Sequence, residues 1–348
     1  MPAMRFAVIL IALLCALPAS ALAHRDRTPR WTPVPTGSDQ QYRGLGAVSS
    51  REAWVGGSNG EVLRTTDGGR TWKDVSPPGS KGLLFRDVEP LGKDGASVLA
   101  IGPGEASRIY TTYDAGRHWR LAFVNDDPNA FYDCMAFFEG GRRGLALSDP
   151  VDGKFRILAT EDRGYSWHVL PNTGMPPAAK DEFAFAASGT CLVAGGGRDA
   201  WFGSGGSVSR VFHSTDRGRT WTVTDAPIPP SDTGAGGVFS LAFRNTHDGV
   251  MVGGDILNPT NGHRMSAFTR DGRTWLQGGD LSGYRSGVDW VSGSNSMLIA
   301  VGPTGSDVSF DGARSWRQFD TADYDAVDCV PRTCWASGPA GAVARYDR

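Results

Sequence analysis

The sequence has little that points to a bound metal, a nucleotide or a covalent intermediate. Its five cysteines and six histidines form no CxxC pair and no Cys/His spacing typical of zinc sites. It contains no G-x-S-x-G nucleophile elbow and no phosphate-binding loop that ends in Lys-Ser or Lys-Thr. We therefore assign no cofactor, no metal ligand and no catalytic residue from motifs.

A strong charge of either sign is also lacking. The 348 residues include 35 Lys and Arg against 37 Asp and Glu, for a formal charge of -2. This balance gives no reason to expect nucleic acid or a membrane surface as a partner.

Long apolar runs are absent except at the N-terminus. The run "FAVILIALLCALPASALA" follows Arg5 and ends at the small-residue site Ala21-Leu22-Ala23. It predicts a signal peptide over residues 1–23, cleaved after Ala23, rather than a membrane span. A lipid anchor on Cys15 is disfavoured because Leu14 is bulkier than the small residue that such processing prefers. The mature chain is expected in the periplasm or outside the cell.

Four cysteines remain in the exported chain. The stretch "CVPRTC" places Cys329 and Cys334 at the ends of a predicted hairpin, where their Cβ atoms can approach closely enough for a disulfide. Whether Cys134 pairs with Cys191 is left open.

Helical periodicity is nearly absent, whereas glycine and tryptophan are plentiful, at 47 and 11 residues. Short β-branched runs between turn signals indicate an all-β protein built from hairpins. One motif, the box, occurs six times: "TTDGGRTW", "TYDAGRHW", "TEDRGYSW", "STDRGRTW", "TRDGRTW" and "SFDGARSW". The final tryptophans of successive boxes are 41 to 54 residues apart, which is the spacing of propeller blades.

Each box has a structural explanation. Its Asp can accept backbone N–H bonds from the residues that follow, its Gly supplies positive φ, and its Trp begins the next strand and packs between blades. The boxes of blades five and six depart from the pattern, so those turns should be less regular. The structural residues are Asp67, Trp72, Asp114, Trp119, Asp162, Trp167, Asp216, Trp221, Asp271, Trp275, Asp311 and Trp316.

The two chain ends predict how the ring closes. After the last box the chain supplies three more strands and no box, while "TPRWTPVP" near the N-terminus places Trp31 where a box Trp would be. An N-terminal strand that completes the last blade would leave no exposed sheet edge. We therefore predict one seven-bladed β-propeller domain over residues 24–348, and we expect a monomer.

On these motifs the chain resembles the BNR/Asp-box repeat propellers, a WD40/YVTN-like class. Within that class it resembles the photosystem II stability/assembly factor-like family. The stretches "YRGLGAVSSREAWVGGSNG", "FRDVEP" and "LSDPVDGKF" look like that family's blade openings and a blade-three loop. The resemblance implies a non-catalytic factor that binds a protein or helps to assemble a complex. The expected partner is an envelope or secreted protein or complex, or a carbohydrate.

The starts of the inner strands predict the binding face. Arginine, acidic and tyrosine residues recur there, and in a closed ring they would converge on one end of the channel. We predict binding by Arg43, Arg86, Tyr132, Tyr284 and Arg285. Trp201, in the Gly-rich run Gly195 to Gly206 that is interpreted as a flexible loop, is predicted to be an exposed aromatic contact. Loops 171–181, 226–236 and 253–263 should emerge on the same face.

The alternative is a sialidase-like glycoside hydrolase, since the box is shared with sialidases. In that case the catalytic residues would come from Asp87, Asp133, Glu182, Tyr324 and Asp325. The Arg-Ile-Pro segment that usually precedes the first sialidase blade is missing, because Arg30 is followed by Trp31. The sequence leaves both hypotheses open and favours the non-enzymatic one.

Overall fold

Seven antiparallel sheets surround a central channel in the computed structural model, which describes residues 28–348. The predicted signal peptide and Cys15 lie outside the described residues. Within 28–348 no helix has the length and apolarity needed to cross a membrane. The predicted seven-bladed, all-β architecture is confirmed.

The first three blades are regular four-stranded meanders. Blade one consists of β2 (Tyr42–Ala47), β3 (Ala53–Gly57), β4 (Val62–Thr65) and β5 (Lys73–Asp74). Blade two consists of β6 (Leu84–Pro90), β7 (Ala96–Ile101), β8 (Arg108–Thr112) and β9 (Arg120–Val124). Blade three consists of β10 (Tyr132–Phe137), β11 (Gly144–Val151), β12 (Lys154–Thr160) and β13 (His168–Val169). Short 3-10 turns occupy Ser58–Gly60 and Gly104–Ala106.

Blade four departs from this pattern at its inner edge. A short strand, β14 (Glu182–Phe183), pairs with β17 (Gly205–Gly206), and the main sheet begins only at β15 (Leu192–Gly195). The rest of blade four is β16 (Asp199–Gly203), β18 (Arg210–Ser214) and β19 (Thr222–Asp225). The inner strand expected to start at Glu182 is thus interrupted by residues 184–190.

The last three blades complete the ring. Blade five consists of β20 (Gly236–Phe243), β21 (Gly249–Asp255), β22 (Ser266–Thr269) and β23 (Trp275–Gln277). Blade six consists of β24 (Gly287–Trp290), β25 (Leu298–Gly302), β26 (Gly305–Ser309) and β27 (Arg317–Asp320). Blade seven combines β28 (Ala326–Val330), β29 (Thr333–Ser337) and β30 (Val343–Asp347) with β1 (Thr32–Pro33).

The predicted closure by the N-terminal strand is confirmed. Strand β1 pairs antiparallel with β30, with Thr32 opposite Arg345. Trp31 is buried at this seam, where its ring lies 5.7 Å from that of Tyr324 and its indole N–H donates to Ser306 Oγ at 2.9 Å. Strand β1 and the adjacent Trp31 therefore tie blade seven to blade six.

The box turns have the hydrogen bonds that their sequence suggests. In blade one, Asp67 Oδ1 accepts the backbone N–H of Thr71 at 2.9 Å, and Asp67 Oδ2 accepts the Thr71 hydroxyl at 2.7 Å. The expectation of a less regular turn in blade six is wrong. Asp311 accepts the same two bonds from Ser315, and Ala313 adopts a φ of 71° in the place of a glycine.

A second set of bonds fixes each box turn to the turn between the first two strands of its own blade. The backbone N–H one residue after the box Asp donates to a carbonyl of that turn in all six blades that carry a box. Two of these bonds run from Gly68 to Arg51 and from Arg163 to Arg142, both at 2.8 Å. Box turns and first turns therefore form one connected rim, called here the box face.

Two disulfides link neighbouring strands. Cys329 and Cys334 face each other across the β28–β29 hairpin, as predicted. Cys134 of blade three is bonded to Cys191, which lies just before β15 of blade four, and both are fully buried. The second bridge therefore joins the inner edges of two blades.

Replacing the seam tryptophan should open the ring. Trp31→Ala removes a buried indole and its bond to Ser306, so we expect a loss of about 3 kcal/mol or more in unfolding free energy. Thermal and urea unfolding measure this loss. Thr32→Ala, at an exposed position of the same strand, serves as the control and should change little. A loss below about 1 kcal/mol for Trp31→Ala would show that closure does not depend on this contact.

Candidate functional site

The channel opens at the end where the inner strands begin, called here the mouth. The inner strands of the first three blades each carry a register shift at this end, between Tyr42 and Gly44, Phe85 and Asp87, and Tyr132 and Cys134. The residues at the shifts are Arg43, Arg86 and Asp133. Such bulges redirect a side chain out of the regular alternation and are common next to functional sites.

Arg43 and Arg86 form the polar centre of the mouth with Asp325. Arg43 Nε lies 3.4 Å from Asp325 Oδ1, and the Gln41 side-chain amide donates to Asp325 Oδ2 at 2.9 Å. Burial lowers the pKa of Arg86 to about 10, and the nearby positive charge of Arg43 adds to this effect. Burial raises the pKa of Asp325, although Arg43 opposes the rise. Asp325 thus pairs with Arg43 and lies near enough to Arg86 for the two charges to interact.

Residues 184–190, called here the plug, extend from blade four into the mouth. Arg86 Nη1 donates to the Ala186 carbonyl at 3.1 Å. The Ser188 hydroxyl donates to the Ser286 carbonyl of blade six at 2.7 Å, and Leu241 of blade five donates its N–H to the Thr190 carbonyl at 3.0 Å. The plug therefore contacts blades two, five and six.

Apolar stacking and a glycine fix the position of the plug. Phe185 stacks on Phe239 with ring centroids 3.8 Å apart, and Phe239 contacts Tyr284. Gly189 has a φ of 81°, and a Cβ there would lie 2.7 Å from Asp87 Oδ1. A larger residue at 189 would therefore collide with the wall of blade two.

Beyond the plug lies a channel cavity of about 280 Å³ that is lined by four carboxyl groups in otherwise largely apolar walls. They belong to Asp87, Glu89, Asp289 and Asp328. Burial raises the pKa of all four, to about 8 for Asp289 and about 6 for Asp328. No Lys, Arg or His lines this cavity in the described chain, so none of the four carboxyls has a basic partner in the lining.

These carboxyls also connect adjacent inner strands. Asp328 Oδ2 accepts the Ala47 N–H at 2.7 Å, Asp289 Oδ2 accepts the Cys329 N–H at 2.7 Å, and Asp87 Oδ2 accepts the Met135 N–H at 2.6 Å. Each bond joins one blade to the next around the channel. The acids therefore satisfy backbone donors that face the channel without a sheet partner.

Several residues predicted to bind do not reach the mouth. Arg285 is fully buried and its Nε lies 2.8 Å from Asp307 Oδ2. Tyr132 is buried against Phe123. Tyr284 is almost completely buried beside the mouth, and burial raises its pKa. Of the five predicted arginine and tyrosine contacts, only Arg43 and Arg86 present accessible polar groups there.

The prediction for Trp201 is wrong. The run Gly195 to Gly206 forms a turn and the second strand of blade four rather than a flexible loop. Trp201 is fully buried in β16, its ring stacks 3.9 Å from that of Phe243, and its indole N–H donates to the Gly272 carbonyl at 2.8 Å. Its size fills the space between blades four and five.

The candidate hydrolase residues are dispersed. Glu182 accepts from Arg210 Nε at 2.9 Å and from Ser204 Oγ at 2.6 Å. Tyr324 is buried against Trp31. Asp133 lies beside Asp149, and burial followed by that neighbouring charge raises its pKa. Asp87 lines the cavity and Asp325 lies at the mouth, so the five do not form one constellation.

Sequence reasoning missed the plug and three cavity carboxyls, those of Glu89, Asp289 and Asp328. The sequence does contain a pattern that could have predicted the cavity carboxyls. The stretches "DVE", "VDW" and "VDC" place an acid inside a strand that is otherwise apolar, at 87–89, 288–290 and 327–329. An unpaired acid in such a strand indicates a partner on a neighbouring blade. No comparable sequence pattern predicts that residues 184–190 leave the sheet to form the plug.

The fold and the mouth can be compared with known proteins. No protein-family model matches the chain. The chloroplastic photosystem II stability/assembly factor HCF136 of Guillardia theta is 22% identical over 225 residues, 61% of this chain and 54% of that protein. The chain therefore spans about half the length of this curated relative.

Solved structures agree on the architecture. YCF48 bound to D1 peptide matches with a TM-score of 0.65 at 15% identity, over 91% of this chain and 95% of that one. YCF48 from Cyanidioschyzon merolae matches with a TM-score of 0.61 at 15% identity, over 91% and 98%. The WD40 domain of Neurospora crassa Pan2 reaches 0.58 at 12% identity, over 92% and 96%.

The described chain is thus a closed seven-bladed β-propeller. Among propellers it is similar to the photosystem II stability and assembly factors HCF136 and YCF48.

The cavity carboxyls predict how stability depends on pH. In the unfolded chain Asp289 ionises near pH 4, whereas in the folded chain it keeps its proton up to about pH 8. The folded state binds more protons within this window, so stability should fall as pH rises from about 4 to about 8. Urea unfolding across this range measures the fall.

Asp289→Asn provides the matched variant, because its amide oxygen can still accept the Cys329 N–H. We expect a shallower fall of stability with pH than in the parent protein. An identical slope would contradict the assignment of this dependence to Asp289.

Proposed function

We propose that this protein is a non-catalytic assembly or stability factor that holds an extended polypeptide at its channel mouth. The observation that carries the proposal is the cluster of Arg43, Arg86 and Asp325, which three different blades bring together. The similarity to HCF136 and YCF48, one of which was solved with a D1 peptide, supports a protein partner.

The chemistry of the mouth suits a peptide backbone. Arg43 Nε is buried 3.4 Å from Asp325 Oδ1 without forming a hydrogen bond, while the Arg43 side chain is 26% exposed; Arg86 donates one bond to a plug carbonyl. Guanidinium groups of this kind can donate to carbonyl or carboxylate oxygens, while Asp325 can accept an N–H. Arg86 already binds one peptide carbonyl, that of Ala186, so the plug shows the type of contact that a partner would extend.

Apolar side chains beside the mouth extend the proposed contact area. Strand β21 ends at the mouth, and Ile256 and Leu257 follow it with 49% and 71% of their surface exposed. The Pro259 carbonyl accepts the N–H of Tyr284, which holds this loop against blade six. Exposed aliphatic residues next to a polar centre are typical of a protein contact.

A glycoside hydrolase has less support. Its acids are either used in the fold, as Glu182 is by Arg210, or lie in the channel, as Asp87 does. A sialidase-like site would also need three arginines for the substrate carboxylate, and of the candidates Arg43, Arg86 and Arg285 the last is paired to Asp307 in the core.

We also propose that the protein is exported and functions in the periplasm or outside the cell. The N-terminal run that resembles a signal peptide supports this, as do the bonds Cys134–Cys191 and Cys329–Cys334, since disulfides persist in oxidising compartments. The boxes further support a relation to Asp-box propellers.

A displayed library of random peptides tests the mouth directly. Selection on the folded protein should enrich peptides whose binding weakens roughly tenfold or more in Arg86→Ala, since a central arginine is a typical hot spot. Fluorescence anisotropy with the synthetic peptides measures the change.

Arg117→Ala, on the opposite face, provides the control and should leave affinity unchanged. Selected peptides that bind Arg86→Ala and Arg43→Ala as tightly as the parent would reject the mouth as the binding site.

A further inference from the structure

The box face carries a repeated arginine. Five of the six boxes have Arg immediately before the Thr, Ser or His that precedes Trp, and all five side chains are exposed. They are Arg70, Arg117, Arg219, Arg273 and Arg314. Because the boxes join the third and fourth strands at the same end of each blade, these arginines lie at one level around the ring.

Most of these charges are not neutralised by an ion pair. Within residues 28–348, no carboxylate comes within ion-pair distance of Arg70, Arg117 or Arg273, and Arg219 has only the exposed Glu161 at 3.8 Å. The box aspartates stay ionised because turn N–H and hydroxyl bonds lower their pKa. Those bonds hold the carboxylates within the turns. Arg219 and Arg314 each donate to the backbone carbonyl of their box Asp, at 3.1 and 2.8 Å, and all five arginines remain exposed.

Further cations lie on the same face. The turns between the first and second strands add the exposed side chains of Arg51, Arg142 and Arg198. The backbone bonds from Gly68 to Arg51, from Arg163 to Arg142 and from Arg217 to Arg198 fix these turns to the boxes. The basic groups are therefore presented by a stiff rim rather than by separate flexible loops.

Two aromatic side chains are exposed among these arginines. Tyr165, in the box of blade three, is 45% exposed and stacks on Tyr113 at 4.6 Å. Phe310, in the box of blade six, is 40% exposed. Aromatic residues beside basic ones are typical of surfaces that contact lipid headgroups.

The opposite face carries negative charge. Loops on the mouth side expose the carboxylates Asp39, Glu105, Asp126, Asp152, Asp232 and Asp323. The box face also exposes carboxylates, among them Asp94, Glu139 and Glu161, but its exposed arginines outnumber them. On the mouth side the exposed carboxylates outnumber the exposed Lys81, Lys180 and Arg264, so the box face is the more basic end. Near an anionic surface, such a molecule would turn its box face inward and keep its mouth in solvent.

We propose that the box face binds the surface of an anionic lipid bilayer. The arginines lie at one level on five of the seven blades, so they can contact a plane together, whereas a protein partner would need only one side of the ring. The exposed Tyr165 and Phe310 fit the boundary between headgroups and acyl chains. This inference does not depend on what the mouth binds.

Co-sedimentation with vesicles tests the proposal. The purified protein is mixed at low salt with vesicles of phosphatidylcholine and phosphatidylglycerol in equal parts, or of phosphatidylcholine alone. We expect binding only to the anionic vesicles and release at high salt. The variant Arg70→Gln/Arg117→Gln/Arg273→Gln should bind roughly 100-fold more weakly, since each arginine near such a surface contributes about fivefold.

A matched variant removes three positive charges from the mouth side, Lys81→Gln/Lys180→Gln/Arg264→Gln. Its binding should equal that of the parent, and thermal unfolding confirms that both variants are folded. No binding to anionic vesicles, or equal loss in both variants, would overturn the proposal. So would binding to soluble polyglutamate that depends on the three box arginines without vesicle binding, because the face would then suit an acidic protein.

Discussion

The pairing of β1 with β30 is the contact on which the rest of the molecule depends. The sheet of each blade packs on the sheets of its two neighbours, and a seventh blade that lacked its outer strand would leave an open edge. The seam also builds the site. Arg43 belongs to blade one and Asp325 to blade seven, and the Ala47 N–H of blade one meets Asp328 of blade seven. Without closure neither contact would exist.

The parts of the fold that could be predicted are those encoded locally. A box Asp forms hydrogen bonds with atoms at most four residues away, as Asp67 does with Thr71. The motif that encodes this turn can therefore be recognised within a stretch of eight residues. The spacing of the tryptophans then gives the blade length. Closure was also predictable, because the missing fourth strand at one end matched "TPRWTPVP" at the other.

The site was less predictable because its contacts cross between blades. Lining up the inner strands placed Arg285 and Tyr132 beside Arg43 and Arg86, but a shift of one residue decides which side chain faces the channel. Arg285 instead pairs with Asp307, 22 residues later and inside the same blade. The glycines around Trp201 suggested a loop, whereas packing between two blades made this segment a buried strand.

Net charge alone does not describe how charge is distributed between the two ends of the propeller. The formal charge sums all 348 residues and so combines the charges at the two ends of the propeller. The strand connections, however, place those charges at separate ends. Turns after the first and third strands of a blade emerge at one end, and the remaining connections emerge at the other. The box aspartates are bonded within their turns, whereas the box arginines are exposed, and the loops at the opposite end expose further aspartates. The fold therefore places residues that alternate along the sequence at opposite ends of the propeller. The polar mouth centre and the box arginines therefore lie at opposite ends of the propeller, so a partner bound at one of the two proposed surfaces would not obstruct the other.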